Sequence, residues 1–482
     1  MKHLRIFAIF CVLLTAPSYA ALPNSTVYNV HHAGSNNNGG CYITGSTGTD
    51  FSNQDAAQYT FTTLTSANGT TNPSIVASVS HSFVATDVGN CLHVTAGTNW
   101  TQGFYRIVSV LAGAATLDRQ VGAAAALTNG TFAVGGALAT LPSLITQLAA
   151  CGGCTANVKG DAVYTTAIQV AFAFTGSPGQ QVSGFTTTPG DGGTFTIQAT
   201  AGIGGSPLVN LTGQGVLRNV VLDLNNQTPL AGLTINANSY AENVEVKNAG
   251  EQRQQFQLNN NSLGCSFCQA HDVAGNTLGI ALVNFGAAGG RCNQCTIYNV
   301  TGTGTFVFNM PAGQCTYCVI AGVTGAGSAG FKIVPSAGVA TPVVDHSIVY
   351  NLNGDAVQIT DVSNVGTVTN SVFDTVVNGI NNTSGTTLRS GDFPNDCNFT
   401  FNISGTAYLN VTAGAHSQAL GTDPFVSPGT RNFVLNNTAG GGSVVTNGGC
   451  PASLPGVTGT GFPSGGGLQP KVINGGASSV IP

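Results

Sequence analysis

The side chains able to do acid–base chemistry are crowded into one stretch of the chain. Arg218, Asp223, Glu242, Glu245, Lys247, Glu251, Arg253, His271 and Asp272 fall within 55 residues and include every glutamate. Carboxylates, cations and an imidazole so close together are what proton transfer or glycan binding requires. Part of the set also recurs at a fixed spacing: Asp223, Lys247 and His271, continued by Tyr298, Ala321, Tyr350 and Asp374. Two readings stay open. Asp223 and Lys247 can neutralise each other in a cross-strand ladder, worth about 0.2–1 kcal/mol. Alternatively, Asp223, Lys247, His271, Tyr298 and Tyr350 form a glycan-binding strip with the tyrosines as stacking platforms. Trp100, the single tryptophan, lies outside this series.

Sulfur is the other reactive element. Eight cysteines form four Cys-x-x-Cys pairs: Cys151/Cys154, Cys265/Cys268, Cys292/Cys295 and Cys315/Cys318. Cys41, Cys91, Cys397 and Cys450 stand apart, and Cys11 lies in the apolar leader. Without Cys11 the count is even, which favours disulfides in an oxidising compartment. Zinc is disfavoured because no histidine has ligand spacing beside the pairs, and a thioredoxin-like site because no βαβ pattern surrounds them. No cofactor and no metal set is expected. The cysteines at 265/268, 292/295 and 315/318 recur at one position of three consecutive repeats, so three short bridges are expected, each within its own coil. Unoxidised thiols packed as small hydrophobes are the alternative. An i,i+3 bridge needs a turn between its partners, because in a straight strand they face opposite ways.

The element that must position these groups is a repeat. Segments starting at Leu217, Ala241, Cys265, Cys292, Cys315, Val344 and Val368 align at spacings of 24, 24, 27, 23, 29 and 24 residues. A second column follows about 14 residues on: Leu233, Phe256, Ile280, Phe306, Phe331, Val357 and Ile380. Between them runs a third: Leu224, Asn248, Asp272, Asn299, Gly322, Asn351 and Thr375. Five of these seven are Asn, Asp or Gly, the types that tolerate a left-handed backbone at a turn. Short alternating strands and tight turns at this period describe a right-handed parallel β-helix over residues 136–385, all-β in class. Val220, Val244, Cys268, Cys295, Cys318, Ser347 and Ser371 should line one inward column. Leu222, Val246, Ala270, Ile297, Ile320, Val349 and Phe373 should line the next.

The flanks complete the plan. Lys2 and Arg5, the apolar run Ile6–Leu14 and Ser18-Tyr19-Ala20 read as a signal peptide over residues 1–20, hence an exported protein. Residues 21–135 form a β-rich module that Cys41 and Cys91 could staple. The stretch 140–150 is helical, with Leu141, Leu144, Ile145 and Leu148 on one face, and should cap the first coil. Residues 386–482 form an irregular cap and Gly/Pro-rich tail, pinned by Cys397 and Cys450. Only 6% of residues are charged, against about 25% ordinarily, so no nucleic-acid partner is expected. No later segment is apolar enough for a membrane span.

The coils, with Thr186-Thr-Thr-Pro-Gly-Asp-Gly-Gly193 leading in, resemble secreted bacterial β-helix proteins of the pectin-lyase-like group. Asp423-Pro-Phe-Val-Ser-Pro-Gly-Thr-Arg-Asn-Phe-Val-Leu435 resembles the closing motif of many such chains. The resemblance implies tests. Val343-Val-Asp345-His346-Ser347, followed by Asp355, resembles the Asp-His region of pectate-lyase-like members. Those need a downstream Arg or Lys, yet Arg389 is the sole cation between Lys332 and Arg431. The adjacent aspartates and Arg-x-Lys of polygalacturonase-like members are missing. Asp345/His346 therefore reads as an outward decoration. The expectation is an exported, non-catalytic structural or surface protein: a matrix rod, filament or adhesin-like solenoid. Its partners would be itself, by lateral or end-to-end assembly, or cell-surface polysaccharide. The alternative is a polysaccharide lyase or glycoside hydrolase of the pectin-lyase-like group with a departed site.

Overall fold

A computed structural model describes residues 26–42, 58–175, 180–236, 238–250, 254–259, 262–274, 281–286, 289–335, 340–363, 366–389 and 391–447. The signal segment, Glu251, Arg253, Ile280 and Cys450 lie outside the described residues. The chain divides into two units: one contains Asn37–Ala137, the other Asn24–Asn36 with Leu138–Pro482.

The smaller unit is a closed antiparallel barrel of the strands Phe61–Ser66, Ile75–Ser78, Ala114–Leu117, Gly103–Leu111, Cys91–Ala96 and Leu127–Val134, in that order around the wall. Alternation explains it: Leu64, Val76, Leu92, Val94, Tyr105, Ile107 and Phe132 point inward and bury completely. Trp100 belongs to this core, its Nε1 donating to the Thr128 carbonyl at 3.1 Å. Cys41 and Cys91 are joined by a disulfide within the same unit.

The larger unit is a parallel β-helix of about nine turns. Two corners of each coil require a left-handed residue, and both can be read along the chain. The first corner holds Asn219, Asn243, Phe267, Gln294, Tyr317, His346, Asn370 and Cys397, all with φ between 48° and 57°. The second holds Asn248, Asp272, Asn299, Gly322, Asn351 and Thr375, with φ between 50° and 67°. In the first repeat the left-handed residues are Asn225 and Asn226 rather than Leu224. Asparagine suits these sites because its amide also links coils, as from Asn243 to Asn219 at 2.9 Å and from Asn299 to Asp272 at 3.2 Å. Strands between the corners stack in parallel register, with Val220 on Val244 and Ile297 on Ile320. Both expected inward columns, from Val220 to Ser371 and from Leu222 to Phe373, are at most 2% exposed. Each large apolar side chain so buried contributes about 1.5–3 kcal/mol.

Several boundaries differ from those the sequence suggests. The column that follows about 14 residues on runs Leu233, Phe256, Val283, Phe308, Phe331, Val357, Ile380. Phe306 instead pairs with Ala281 and Ala329, because the corner lengths of the longer repeats vary and shift the strand by two residues. Strand Val27–Val30 pairs with Thr155–Val158, so the chain enters the solenoid before forming the barrel and returns to it. Parallel pairing also continues beyond 385, through Phe399–Phe401, Tyr408–Leu409 and Gln418–Ala419. Helix Leu141–Ala150, capped by Thr140 on the Ser143 amide, packs against Val170–Phe174 with Leu141, Leu144, Gln147 and Leu148 buried. Ile145 is only half-buried.

The first corner brings i and i+3 cysteines onto the same inward side. Disulfides join Cys151 to Cys154 and Cys265 to Cys268, and Cys397 is also disulfide-bonded. In the next two coils the expected bridges are not formed: Cys292, Cys295, Cys315 and Cys318 are buried free thiols. Each of the four faces a sulfur of its own coil and one of the adjacent coil, and Cys295 and Cys318 donate to the carbonyls of Cys265 and Cys292 at 3.5 Å and 3.6 Å.

Candidate functional site

The strands that follow the first corner present one outward column. Gln198, Asp223, Lys247, His271, Tyr298, Ala321, Tyr350, Asp374 and Phe401 are successive register partners. Strand Tyr240–Ala249 turns Val244 and Val246 inward, which leaves Glu245 and Lys247 outward two residues apart. Strand Gln269–Val273 places His271 beside Lys247, and Asp272 occupies the left-handed corner that ends the run.

Glu245 organises this group. Its Oε1 lies 3.1 Å from Lys247 Nζ and 3.2 Å from His271 Nε2. The imidazole thus reaches diagonally to a carboxylate instead of abutting its register partner, a like-charged ammonium. The other ring nitrogen, Nδ1, lies 2.7 Å from Asp272 Oδ2. With a carboxylate at each nitrogen, the doubly protonated ring is favoured. Burial opposes that charge, but the hydrogen bonds to Glu245 and Asp272 outweigh it and raise the His271 pKa. The His271 hydrogen bond holds Glu245 below its ordinary value, with Lys247 adding to the effect. For Asp272, burial is outweighed by His271 and Asn299, and its carboxyl too is lowered. Tyr298 stacks on His271, ring centroids 4.6 Å apart and 9° from parallel.

A cation arrives from far down the chain. Phe425–Ser427, the single turn Pro428–Thr430 and Asn432–Leu435 fold back on the solenoid, where Phe425, Phe433 and Val445 pack with Val319, Ala321, Ile348, Val372 and Phe399. Arg431, left-handed at φ 63°, closes the turn and lays its guanidinium 4.2 Å from the Tyr298 ring centre. Its Nη1 is buried and meets no acceptor among the described residues. Burial pushes the Tyr298 phenol up, and Arg431 opposes that shift.

The expected strip is therefore divided. Asp223 does not pair with Lys247; it accepts from Gln198 and Asn248 at 3.0 Å each and from the Asn225 amide at 2.9 Å. Tyr350 packs on Phe433, centroids 5.6 Å apart, in the cluster under the returning segment, which withdraws it from the strip. The Tyr298 ring already has His271 and Arg431 as neighbours, so it is not a free stacking platform. Asp345/His346 is no outward decoration: His346 is 1% exposed, sits at the first corner and pairs its Nδ1 with Asp345 at 2.8 Å. Asp345 also accepts from Thr369 and Asn370 at 2.8 Å each, tying two coils. Sequence reasoning placed Lys247, His271 and Tyr298 in line but missed their convergence with Glu245, Asp272 and Arg431. The available signal was the closing segment, whose Phe425 and Phe433 flank the arginine and need an apolar face to cover.

No protein-family model matches the chain, and no curated protein sequence matches it. Among solved structures it is similar to the catalytic domain of a GH87 α-1,3-glucanase in complex with nigerose, at 12% identity and TM-score 0.35, over 72% of this chain and 78% of that one. It is also similar to the pectin methylesterase of Aspergillus niger, at 13% identity and TM-score 0.34, over 58% and 88%. A third is the mannuronan C-5 epimerase A-module of Azotobacter vinelandii, at 14% and 0.26, over 57% and 94%. At these identities the likeness concerns the fold. All three neighbours are enzymes, where a non-catalytic structural or surface protein was expected; that expectation is corrected, and the likeness itself reaches no further than the fold. The solved neighbours of this chain are β-helix proteins of the pectin-lyase-like group.

Proposed function

We propose that the chain is a polysaccharide-acting enzyme of the lyase or hydrolase type, with its site formed by Glu245, Lys247, His271, Asp272, Tyr298 and Arg431. The observation that carries this reading is the His271 ring clamped between two carboxylates and stacked on a tyrosine that an arginine covers. Elimination fits the group better than paired-carboxylate hydrolysis. Glu245 and Asp272 are both held below their ordinary values, so neither is poised as the carboxylic acid that hydrolysis uses to protonate the leaving oxygen. In elimination from a uronate, Glu245 would receive the proton removed from carbon, and His271 would protonate the leaving oxygen. The hydrogen bond between them returns the proton afterwards. Arg431, with an unpartnered donor, and Lys247 would offset the charge that builds on the substrate carboxylate.

Export belongs to the same proposal and is supported by the disulfides. Among the described residues no helix is long and apolar enough to cross a membrane. The test is incubation of the full chain with uronate-containing and neutral polysaccharides, with and without calcium. Unsaturated chain ends, detected by ultraviolet absorbance, are expected from a uronate polymer. New reducing ends without unsaturation would show hydrolysis instead, and no turnover across the panel would sink the reading.

A further inference from the structure

Three stacked corners hold six sulfurs, of which only one pair is bonded. Cys265 stacks on Cys292 and Cys292 on Cys315, while Cys268, Cys295 and Cys318 form the parallel column. The left-handed residues Phe267, Gln294 and Tyr317 stand between the partners of each pair and give all three corners one backbone shape. That shape already carries a disulfide at Cys265–Cys268, with Cα atoms 6.1 Å apart. The sulfur of Cys295 lies within 4.8 Å of those of Cys265 and Cys268.

We propose that Cys292–Cys295 and Cys315–Cys318 are oxidation sites that close into two further disulfides, each within its own coil, and complete a three-rung ladder. The structure holds the reduced form of these two rungs. The oxidant is a small disulfide such as oxidised glutathione. One thiolate of a pair attacks a sulfur of the reagent, forms a mixed disulfide and expels one small thiolate. The second protein thiolate then displaces the other small thiol. Two protein thiols are oxidised and the reagent is reduced to two small thiols, which take up the two protons the protein thiols give up. The four sulfurs belong to residues at most 3% exposed, so the reaction takes place while the coils are still open.

The ladder has a positional consequence, and this part rests on the proposed function. Cys268 directly precedes strand Gln269–Val273, which carries His271, and Cys295 directly precedes Thr296–Val300, which carries Tyr298. Closing the 292–295 rung fixes the start of the strand that carries Tyr298, as the existing Cys265–Cys268 bridge does for the strand that carries His271. Cys292 and Cys295 are positioning residues, not catalytic ones.

The test refolds the full chain from the reduced, denatured state in mixed oxidised and reduced glutathione, then maps it unreduced after chymotryptic cleavage. The expected result is two bridges, 292–295 and 315–318, and the loss of four alkylatable thiols. A double variant, Cys292→Ala with Cys295→Val, copies the Ala241/Val244 pair of an earlier coil and so keeps an apolar interior. Oxidation should raise the melting temperature of the wild-type chain by more than that of the variant. Thiols that remain alkylatable, bridges between coils, stoichiometric release of zinc or copper on denaturation, or equal melting shifts would each overturn the proposal. None of these readouts depends on turnover, so failure here is separable from failure of the proposed function.

Discussion

One register column of the solenoid has two different fates. Between Gln198 and His271 it is polar and free of the C-terminal cover, with Glu245 gathering a lysine and a histidine that is itself only 8% exposed. From Ala321 to Phe401 the same column lies under the C-terminal segment, in a cluster that includes Tyr350, Phe425 and Phe433. Tyr298 stands at the border, with His271 on the open side and Arg431 delivered by the cover. The difference teaches how a repetitive scaffold acquires a unique site. Stacking alone makes every coil alike, and asymmetry enters where a non-repeating segment ends on the column.

The cover should be the more vulnerable of the two regions. Phe433 is 2% exposed and packs against both Phe425 and Tyr350. Phe433→Ala should cost about 3–5 kcal/mol in the stability of the returning segment. Hydrogen exchange would show the loss confined to residues near 425–445 and their facing strands. Uniform loosening of the open coils as well would erase the distinction between the regions.

Acidity should separate them next. Asp374 is buried under the cover, its Oδ2 without a partner, and its pKa is raised to about 6. Burial is the main cause; a hydrogen bond from Thr375 opposes it and nearby Asp423 adds to it. A carboxyl that holds its proton more tightly when folded stabilises the fold below its ordinary value near 3.8. That contribution is lost as pH rises toward 6 and stays lost above it. The size is roughly 3 kcal/mol at most. Asp374→Asn should flatten the fall in melting temperature between about pH 4 and pH 7. An unchanged pH profile in that variant would contradict the assignment.

The smallest effect belongs to the open side. Asp272 is half-exposed, so its carboxylate supports the His271 charge only weakly. Asp272→Asn should lower the His271 pKa, and the loss of activity on the alkaline side should move to lower pH by less than about one unit. A shift to higher pH would show that the imidazole is not the proton donor.

The solenoid is far more legible in the sequence than the site. Asn248, Asp272, Asn299 and Asn351 announce a corner because few other types accept a positive φ there. The inward columns follow from period-2 burial between corners. Register slips only where corner length varies, as at Phe306, since sequence spacing does not tell a longer turn from a longer strand. His271 and Lys247 fall in line for the same reason as the core. The convergence of Glu245 with His271 is diagonal across strands, and Arg431 comes from a segment outside the repeat, so no periodicity announces either.

The most direct measurement is turnover of a uronate polysaccharide by three full-length chains of matched stability: wild type, His271→Ala and Tyr350→Phe. If the open half of the column is the site, His271→Ala loses about 10²–10⁴-fold in turnover, while Tyr350→Phe, altered only under the cover, keeps wild-type turnover. Equal activity of His271→Ala and wild type, or a comparable loss in Tyr350→Phe, would contradict it.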